Sequence, residues 1–248
     1  MNLLPSAALL LAILMVPVSS TVNIAEEEVQ ETVQEILHPR QSEEWNLLLV
    51  NRWNPMPEDY QVTLKKLRNG LQVDERIYED LNAMLTDCGK AGLQPIVCSA
   101  YRSEATQARL HKNKISRLQA AGYEKEAAER EAIRWVAAPG TSEHHTGMAV
   151  DIVAASYQRL DQKQEKTAEQ KWLMEHCWEY GFILRYPNDK SEVTGIGYEP
   201  WHYRYVGREA ALAMRDSGLC LEEYIRTLNA AKPEETPEMN QEAASAAS

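Results

Sequence analysis

Two short segments of the chain, residues 142–151 and 199–203, concentrate side chains that can bind a metal ion. Three of the six histidines lie in these segments, together with Asp151 and Glu199. A catalytic zinc site needs three protein ligands, an open position for water and a general base close by. The two segments therefore contain the residue types that a zinc hydrolase requires.

The first segment has the pattern of a turn followed by a buried strand. Alternate residues of a strand point to opposite faces, so Gly147, Ala149 and Asp151 share one face. These small residues leave room for a metal and a substrate beside the Asp151 carboxylate. The other face is apolar and can pack into the core: Met148, Val150 and Ile152.

The spacing of the first segment leaves two questions open. It does not decide whether His144 or His145 is the better ligand. It also allows a plainer interpretation, in which both histidines lie at the surface and Asp151 caps a loop.

The second segment places Glu199 three residues before His202. If His202 binds a metal, this carboxylate could take a proton from metal-bound water and pass it to the leaving amine. Positions three apart on a strand face opposite ways, so a bend near Pro200 is required. The alternative is a packed aromatic strand in which His202 is incidental, formed by Trp201, Tyr203 and Tyr205.

A third segment, residues 99–107, places Arg102 at the end of a predicted strand and just before a helix that Ser103 can cap. A guanidinium there could hold a carboxylate or stabilise an oxyanion. The alternative for Arg102 is an ordinary surface ion pair.

The elements that would carry these residues are predicted from hydrophobic periodicity and from helix-ending glycines. We predict helices over residues 75–88, 104–121, 124–138, 168–180, 209–215 and 221–230. We predict strands over residues 95–101, 148–153, 182–185 and 201–206. Helices and strands mix without regular βαβ alternation, which favours a single α+β domain with a small, mainly antiparallel sheet flanked by helices.

The acidity of the chain belongs to its two ends. The net charge is −11, and residues 1–45 carry seven glutamates and one arginine, while residues 231–248 carry four glutamates and one lysine. We interpret residues 21–45 as an acidic linker, 46–230 as the catalytic domain and 231–248 as a disordered tail. The nearly neutral domain lacks the basic face of a nucleic-acid-binding protein, and no protein partner is predicted.

Residues 3–18 form an uncharged, mostly apolar segment that indicates export. Its length fits the core of a signal peptide better than a bilayer span, which needs about 20 residues. We therefore predict that residues 1–20 are a signal peptide, with an uncleaved N-terminal membrane anchor as the alternative. The four cysteines have no C-x-x-C spacing, which argues against a cysteine zinc site, and their disulfide state is left open.

The three segments together resemble the VanY-type D-alanyl-D-alanine carboxypeptidases. The resemblance rests on Ser-Ala-Tyr-Arg-Ser-x3-Gln from Ser99, Ser-x-His-x2-Gly-x-Ala-x-Asp from Ser142, and Glu-Pro-Trp-His-Tyr-Arg-Tyr-Val-Gly from Glu199. It extends over residues 46–215, and the order and spacing of the motifs are more specific than any one of them. It implies a hedgehog/D,D-peptidase-like fold.

The resemblance also implies a role for each candidate residue. It implies that Glu199 is the catalytic base and later the acid, and that Arg102 polarises the scissile carbonyl. Ser142 and Gln107 would help to hold the end of the peptide. It favours His144 over its neighbour and implies a Zn²⁺ site with three protein ligands: His144, Asp151 and His202.

The activity implied by the resemblance is that of an exported zinc D,D-carboxypeptidase. Its substrates would be peptidoglycan stem peptides that end in D-Ala-D-Ala, from which it removes the terminal D-alanine. Related alternatives are an L,D-carboxypeptidase and a peptidoglycan endopeptidase, since the sequence does not define the depth of the substrate pocket. An alternative of another class is a non-catalytic module that binds the cell wall.

Overall fold

The computed structural model describes residues 44–231. The predicted signal segment, nearly all of the acidic linker and the predicted tail from residue 232 lie outside the described residues, and the domain boundaries stay predictions. Among the described residues, every helix is too short or too polar to cross a membrane.

Residues 44–231 form seven α-helices and two small antiparallel sheets. The strands are β1 (Leu64–Lys66), β2 (Gln72–Asp74), β3 (Pro95–Ser99), β4 (Ala149–Ala154), β5 (Phe182–Leu184) and β6 (His202–Tyr205). The helices are α1 (Tyr78–Lys90), α2 (Glu104–Ala120), α3 (Lys125–Ile133), α4 (Ala168–His176), α5 (Ser191–Thr194), α6 (Arg208–Ser217) and α7 (Leu221–Ala231). The predicted α+β class is confirmed.

The larger sheet has the strand order β3-β4-β6-β5, and every neighbouring pair is antiparallel. The two candidate metal-binding segments therefore meet at the centre of the sheet, on β4 and β6. The smaller sheet is the hairpin β1–β2. Sequence reasoning missed this hairpin, because each of its strands is three residues long and mixes polar with apolar residues.

The predicted helices are found, with shifted ends. The stretch predicted over 168–180 is helix α4 followed by a 3₁₀ turn, Cys177–Tyr180, which ends at Gly181 with φ of 78°. The stretch predicted over 124–138 ends earlier, at Ile133. Ser103 caps α2 as expected, since its side chain accepts a hydrogen bond from the backbone N–H of Thr106.

The main hydrophobic core lies between one face of the larger sheet and helices α1 and α4. Val150 and Ile152 of β4 are fully buried there, against Leu81 and Met84 of α1 and Leu173 of α4. The predicted alternation along β4 is confirmed, because the apolar residues face this core while Asp151 faces away from it.

A second apolar cluster lies on the other side of β5. Phe182 packs in the main core, whereas its neighbour Ile183 packs with Met214 of α6 and with Leu221 and Ile225 of α7. Consecutive residues of a strand face opposite ways, so β5 contributes to both clusters. This arrangement anchors the C-terminal helices on the sheet that carries the candidate site.

Gly147 makes the tight turn that leads into β4. Its φ is 75°, a left-handed value that favours glycine, and an added Cβ would lie 2.8 Å from the backbone nitrogen of Asp74. That nitrogen donates a hydrogen bond to the Gly147 carbonyl. The glycine therefore lets the metal-binding segment pack directly against β2.

All four cysteines are free in the structure. Cys88, Cys177 and Cys220 are buried, and Cys98 is exposed.

Candidate active site

Three candidate ligands converge on one point at the edge of the core. The side chains of His144, Asp151 and His202 are all buried, and their ligand atoms lie within 4.8 Å of one another. Asp151 and His202 are direct cross-strand partners on β4 and β6. His144 comes from a 3₁₀ turn, Glu143–Thr146, immediately before β4.

The hydrogen bonds of this cluster suit a metal site. The Nδ1 atom of His144 lies 2.7 Å from the Ala100 carbonyl oxygen, so Nδ1 carries the proton and the Nε2 lone pair is free. That Nε2 lies 3.4 Å from Oδ2 of Asp151, and Nδ1 of His202 lies 3.0 Å from Oδ1. Two imidazole nitrogens and one carboxylate are a typical donor set for catalytic zinc.

His145 lies outside this cluster. Its Nδ1 atom is 2.7 Å from the Arg102 carbonyl oxygen, and its Nε2 accepts a hydrogen bond from the Gly140 backbone. Both ring nitrogens are therefore engaged by backbone groups, and the ring holds the segment after β3 beside the turn that carries His144.

The protonation states of the cluster also favour metal binding. Burial lowers the pKa of His144 to about 4, which keeps the ring neutral. Burial acts to raise the pKa of Asp151, but His144 and Arg102 hold it well below its usual range. For His202, burial acts to lower the pKa, and hydrogen bonding to Asp151 raises it to about 9. A metal would compete with that proton, because both require the Nδ1 lone pair.

Glu199 reaches the cluster through a tight turn. The backbone N–H of His202 donates to the Glu199 carbonyl, and Pro200 lies inside this turn, where the sequence required a bend. Oε2 of Glu199 lies 3.7 Å from Nδ1 of His202. Burial raises the pKa of Glu199 to about 8, so this carboxyl group has a high proton affinity.

Arg102 is held beside the cluster by three side chains. Its Nη2 donates to Oδ2 of Asp151 at 2.6 Å, its Nη1 to Oε1 of Gln107 at 3.2 Å and its Nε to Oγ of Ser99 at 2.8 Å. A register shift between Val97 and Ser99 sets Ser99 opposite Asp151. The irregularity at the end of β3 thus positions the guanidinium at the metal-binding residues.

The remaining predicted residues, Ser142 and Gln107, line a cavity of about 790 Å³ that contains the whole cluster. Gln107 is 1% exposed, and its side chain bonds both to Arg102 and to the Ala137 carbonyl. Its amide oxygen accepts from Arg102 and its amide nitrogen donates to Ala137, so both ends of the amide are bonded to protein groups.

Sequence reasoning missed the far half of this cavity. Beyond the predicted Gln107, one face of α2 lines this half with residues at helical spacing: Leu110, Lys114 and Arg117. Trp135 also lines the cavity, and the centroid of its ring lies 5.4 Å from the Lys114 ammonium. The spacing along α2 was visible in the sequence, but the contribution of Trp135 was not.

Comparison with known proteins identifies the family. The family model described as VanY, D-alanyl-D-alanine carboxypeptidase, matches residues 70–208. A D-alanyl-D-alanine carboxypeptidase from Enterococcus faecalis is 42% identical over 208 residues, which are 84% of this chain and 76% of that protein. The chain belongs to the VanY family.

Solved structures of VanY proteins share the fold. VanYB in complex with D-alanine-D-alanine is 46% identical, with a TM-score of 0.70 over 76% of this chain and 100% of that chain. A mutant of the vancomycin-resistance D,D-pentapeptidase VanY from a VanB-type resistance cassette, in complex with Zn(II), is 45% identical. Its TM-score is 0.68 over 73% of this chain and 99% of that chain. The resemblance of the sequence to the VanY family, and the fold it implied, are confirmed.

Proposed function

We propose that this VanY-family protein is an exported zinc-dependent D,D-carboxypeptidase that removes the terminal D-alanine from peptidoglycan stem peptides ending in D-Ala-D-Ala. The observation that carries the proposal is the convergence of five side chains at one end of a cavity: His144, Asp151, His202, Glu199 and Arg102. The similarity to VanY structures with Zn(II) and with D-alanine-D-alanine supports the same metal and the same type of substrate.

His144, Asp151 and His202 would hold the zinc ion. When bound, zinc supplies a Lewis acid that activates water and polarises a carbonyl group. The remaining chemistry belongs to side chains of the protein.

Glu199 would move the proton. Its carboxylate is buried next to His202 and has a raised proton affinity, so it can accept a proton from the attacking water and deliver it to the leaving amine. Arg102 would donate hydrogen bonds to the carbonyl oxygen on which negative charge develops. Its fixed orientation reduces the reorganisation that this step requires.

The length of the cavity supports a peptide substrate. From Gln107 to Arg117 the lining face of α2 rises about 15 Å, at about 1.5 Å per residue. An extended peptide advances about 3.4 Å per residue, so this wall can run beside roughly four residues. A stem peptide therefore fits the cavity better than a free dipeptide, with the scissile bond at the Glu199 end.

A panel of defined stem peptides tests the proposed specificity. The purified protein with zinc should release one D-alanine from a pentapeptide stem and leave a tetrapeptide stem intact, as read by mass spectrometry. Release of the terminal residue from the tetrapeptide would instead indicate an L,D-carboxypeptidase, and an internal cut would indicate an endopeptidase. Bound zinc without cleavage of any stem would indicate a non-catalytic wall-binding module.

The Glu199→Ala variant tests the proposed mechanism. It should bind zinc in the same stoichiometry as the wild type and lose hydrolysis by at least about 10²-fold, because the proton acceptor is removed while the ligands remain. A variant that keeps wild-type activity would exclude Glu199 as the base.

Export is proposed because the substrate lies outside the membrane and residues 3–18 are apolar and uncharged. The mature N-terminus of the protein made in cells distinguishes the two forms of export. A start near residue 21 in the medium indicates a cleaved signal peptide, and an intact N-terminus in the membrane fraction indicates an anchor. An intact chain confined to the cytosol would refute export.

A further inference from the structure

A fully buried carboxylate, Glu143, lies behind the candidate metal site, and the functions argued above do not use it. Glu143 is 1% exposed. Its Oε1 atom accepts hydrogen bonds from Nε of Arg185 at 2.7 Å and from Nη1 of Arg204 at 2.9 Å. Both arginines are completely buried, so one oxygen of Glu143 is occupied by two charged donors.

The second oxygen of Glu143 faces His202. Oε2 lies 3.6 Å from Nε2 of His202. Among the described residues, every other fully buried side-chain nitrogen or oxygen atom has a hydrogen-bond partner, and only these two atoms have none. An unpaired buried donor or acceptor is costly, and a small shift would bring this pair within hydrogen-bonding distance.

We propose that Glu143 is a positioning residue that fixes the tautomer and the orientation of His202, an inference that rests on the proposed zinc site. In this arrangement the Nε2–H group of His202 donates a hydrogen bond to Oε2 of Glu143, and the proton stays on the ring. The Nδ1 lone pair is then directed towards Asp151, at the position where the ligand atoms meet. A carboxylate behind a metal-bound histidine commonly sets its tautomer and increases its basicity.

The charge network around Glu143 explains why a carboxylate is required there. Arg185 also pairs with Glu222 of α7, through Nη1 at 2.8 Å and Nη2 at 2.6 Å, and Asn51 donates to the same carboxylate. Two buried arginines and two buried glutamates thus balance each other. Because the arginines saturate Oε1 of Glu143, its Oε2 is left for His202.

The isosteric variant Glu143→Gln separates the proposed role from simple packing. The two arginines are donors, so they would hold the amide oxygen of the new side chain. Its NH₂ group would then face Nε2 of His202, and this ring atom would have to become the acceptor. The proton would move to Nδ1, which removes the lone pair that the zinc ion needs.

Glu222→Gln is the matched control. It removes a negative charge from the same buried network, from a carboxylate that also pairs with Arg185. Among the hydrogen bonds and ion pairs of the described residues, however, Glu222 makes no contact with His202. Both variants should lose stability, whereas only Glu143→Gln should change the metal site.

Zinc affinity measured by competition with a chelator tests the inference without relying on activity. Glu143→Gln should bind zinc about 10- to 100-fold more weakly than the wild type, the range seen when partners of metal ligands are removed. Glu222→Gln should stay within about threefold, because the donors around the ion are unchanged. Equal affinity of Glu143→Gln and the wild type, or an equal loss in both variants, would overturn the inference.

Nitrogen-15 NMR of the histidine rings gives a second measurement, which needs only the wild-type protein. The zinc-loaded protein should show the His202 ring with its proton on Nε2 and slow exchange of that proton with water. A ring proton on Nδ1 would contradict the positioning role. Failure of the wild type to bind zinc would instead refute the proposed function, so the two failures can be told apart.

Discussion

Arg102 shows how the site is ordered at the scale of single residues. Each of its three guanidinium nitrogens donates to a different side chain, Ser99, Gln107 or Asp151, and this fixes the plane of the guanidinium. A lysine at the same position would keep the charge but could not satisfy three separated acceptors in fixed directions.

We therefore predict that Arg102→Lys lowers kcat about 10²- to 10³-fold, the range seen when an oxyanion donor is lost. KM for a pentapeptide stem should change much less, and steady-state kinetics on the zinc-loaded protein would measure both constants. The control is Arg208→Lys, because Arg208 pairs with Asp80 and does not line the cavity. A kcat for Arg102→Lys within threefold of the control would contradict the assigned role.

The sequence predicted the parts of the candidate site that depend on near neighbours. The turn that joins Glu199 to His202 follows from three residues of spacing and a proline. Glu143 stands beside His144 in the same motif, yet its partners Arg185 and Arg204 are 42 and 61 residues away. Its role depends on packing between distant strands, which neither periodicity nor local spacing reports.

At the scale of elements, helix α2 connects the chemical end of the cavity to its far wall. Gln107 anchors Arg102 at one end, and Lys114 lies two turns further along the same face, half-buried over the Trp135 ring. This lysine is oriented towards the cavity by an aromatic wall, so it can contact a carboxylate of a bound peptide about 10 Å from Gln107.

We predict that Lys114→Glu raises KM for an acidic stem pentapeptide about tenfold, because a favourable charge contact becomes a repulsion worth about 1.4 kcal/mol. Cleavage of a short N-acetyl-D-Ala-D-Ala substrate should change much less, because that substrate ends before it reaches Lys114 and the charge of Lys114 is only a minor influence on the pKa of Glu199. Initial rates on the two substrates would give the comparison.

Lys112→Glu is the control for that experiment, since Lys112 is exposed on the same helix and lies outside the cavity lining. An equal change of KM in both variants would assign the effect to general charge. An equal change of KM for the long and the short substrate would show that Lys114 acts on the residues around the scissile bond and not on the distal part of the peptide.

At the scale of the whole molecule, buried charges join the sheet to the C-terminal helix. Arg185 follows β5, Arg204 lies on β6 and Glu222 lies on α7, and all three are within 1% of complete burial. Glu222 is carried by the helix whose Leu221 and Ile225 belong to the second apolar cluster. Burying an ion pair costs desolvation free energy, but removing only one partner costs more, because the other charge is then buried without a partner.

This network could not have been predicted from the sequence. Arg185 and Arg204 occur within or beside apolar strands, where a charged residue normally marks an exposed face. The strands themselves were predicted, because their periodicity is local. The burial of their arginines depends on two glutamates supplied by a turn and by a helix elsewhere in the chain.

We predict that Arg185→Met lowers the free energy of unfolding by about 3–5 kcal/mol, because Glu222 loses its bidentate partner and Glu143 loses one of two arginines. Urea denaturation, followed by tryptophan fluorescence with an unchanged m-value, would measure the loss.

The Glu222→Met variant should show a loss of similar origin, since it leaves Arg185 with a single carboxylate. The double variant Arg185→Met/Glu222→Met should be more stable than the sum of the two single losses predicts, by about 1–3 kcal/mol, because neither partner is then left unpaired. Strict additivity would show that the two charges do not act as a pair, and that packing of the arginine stem alone holds α7 to the sheet.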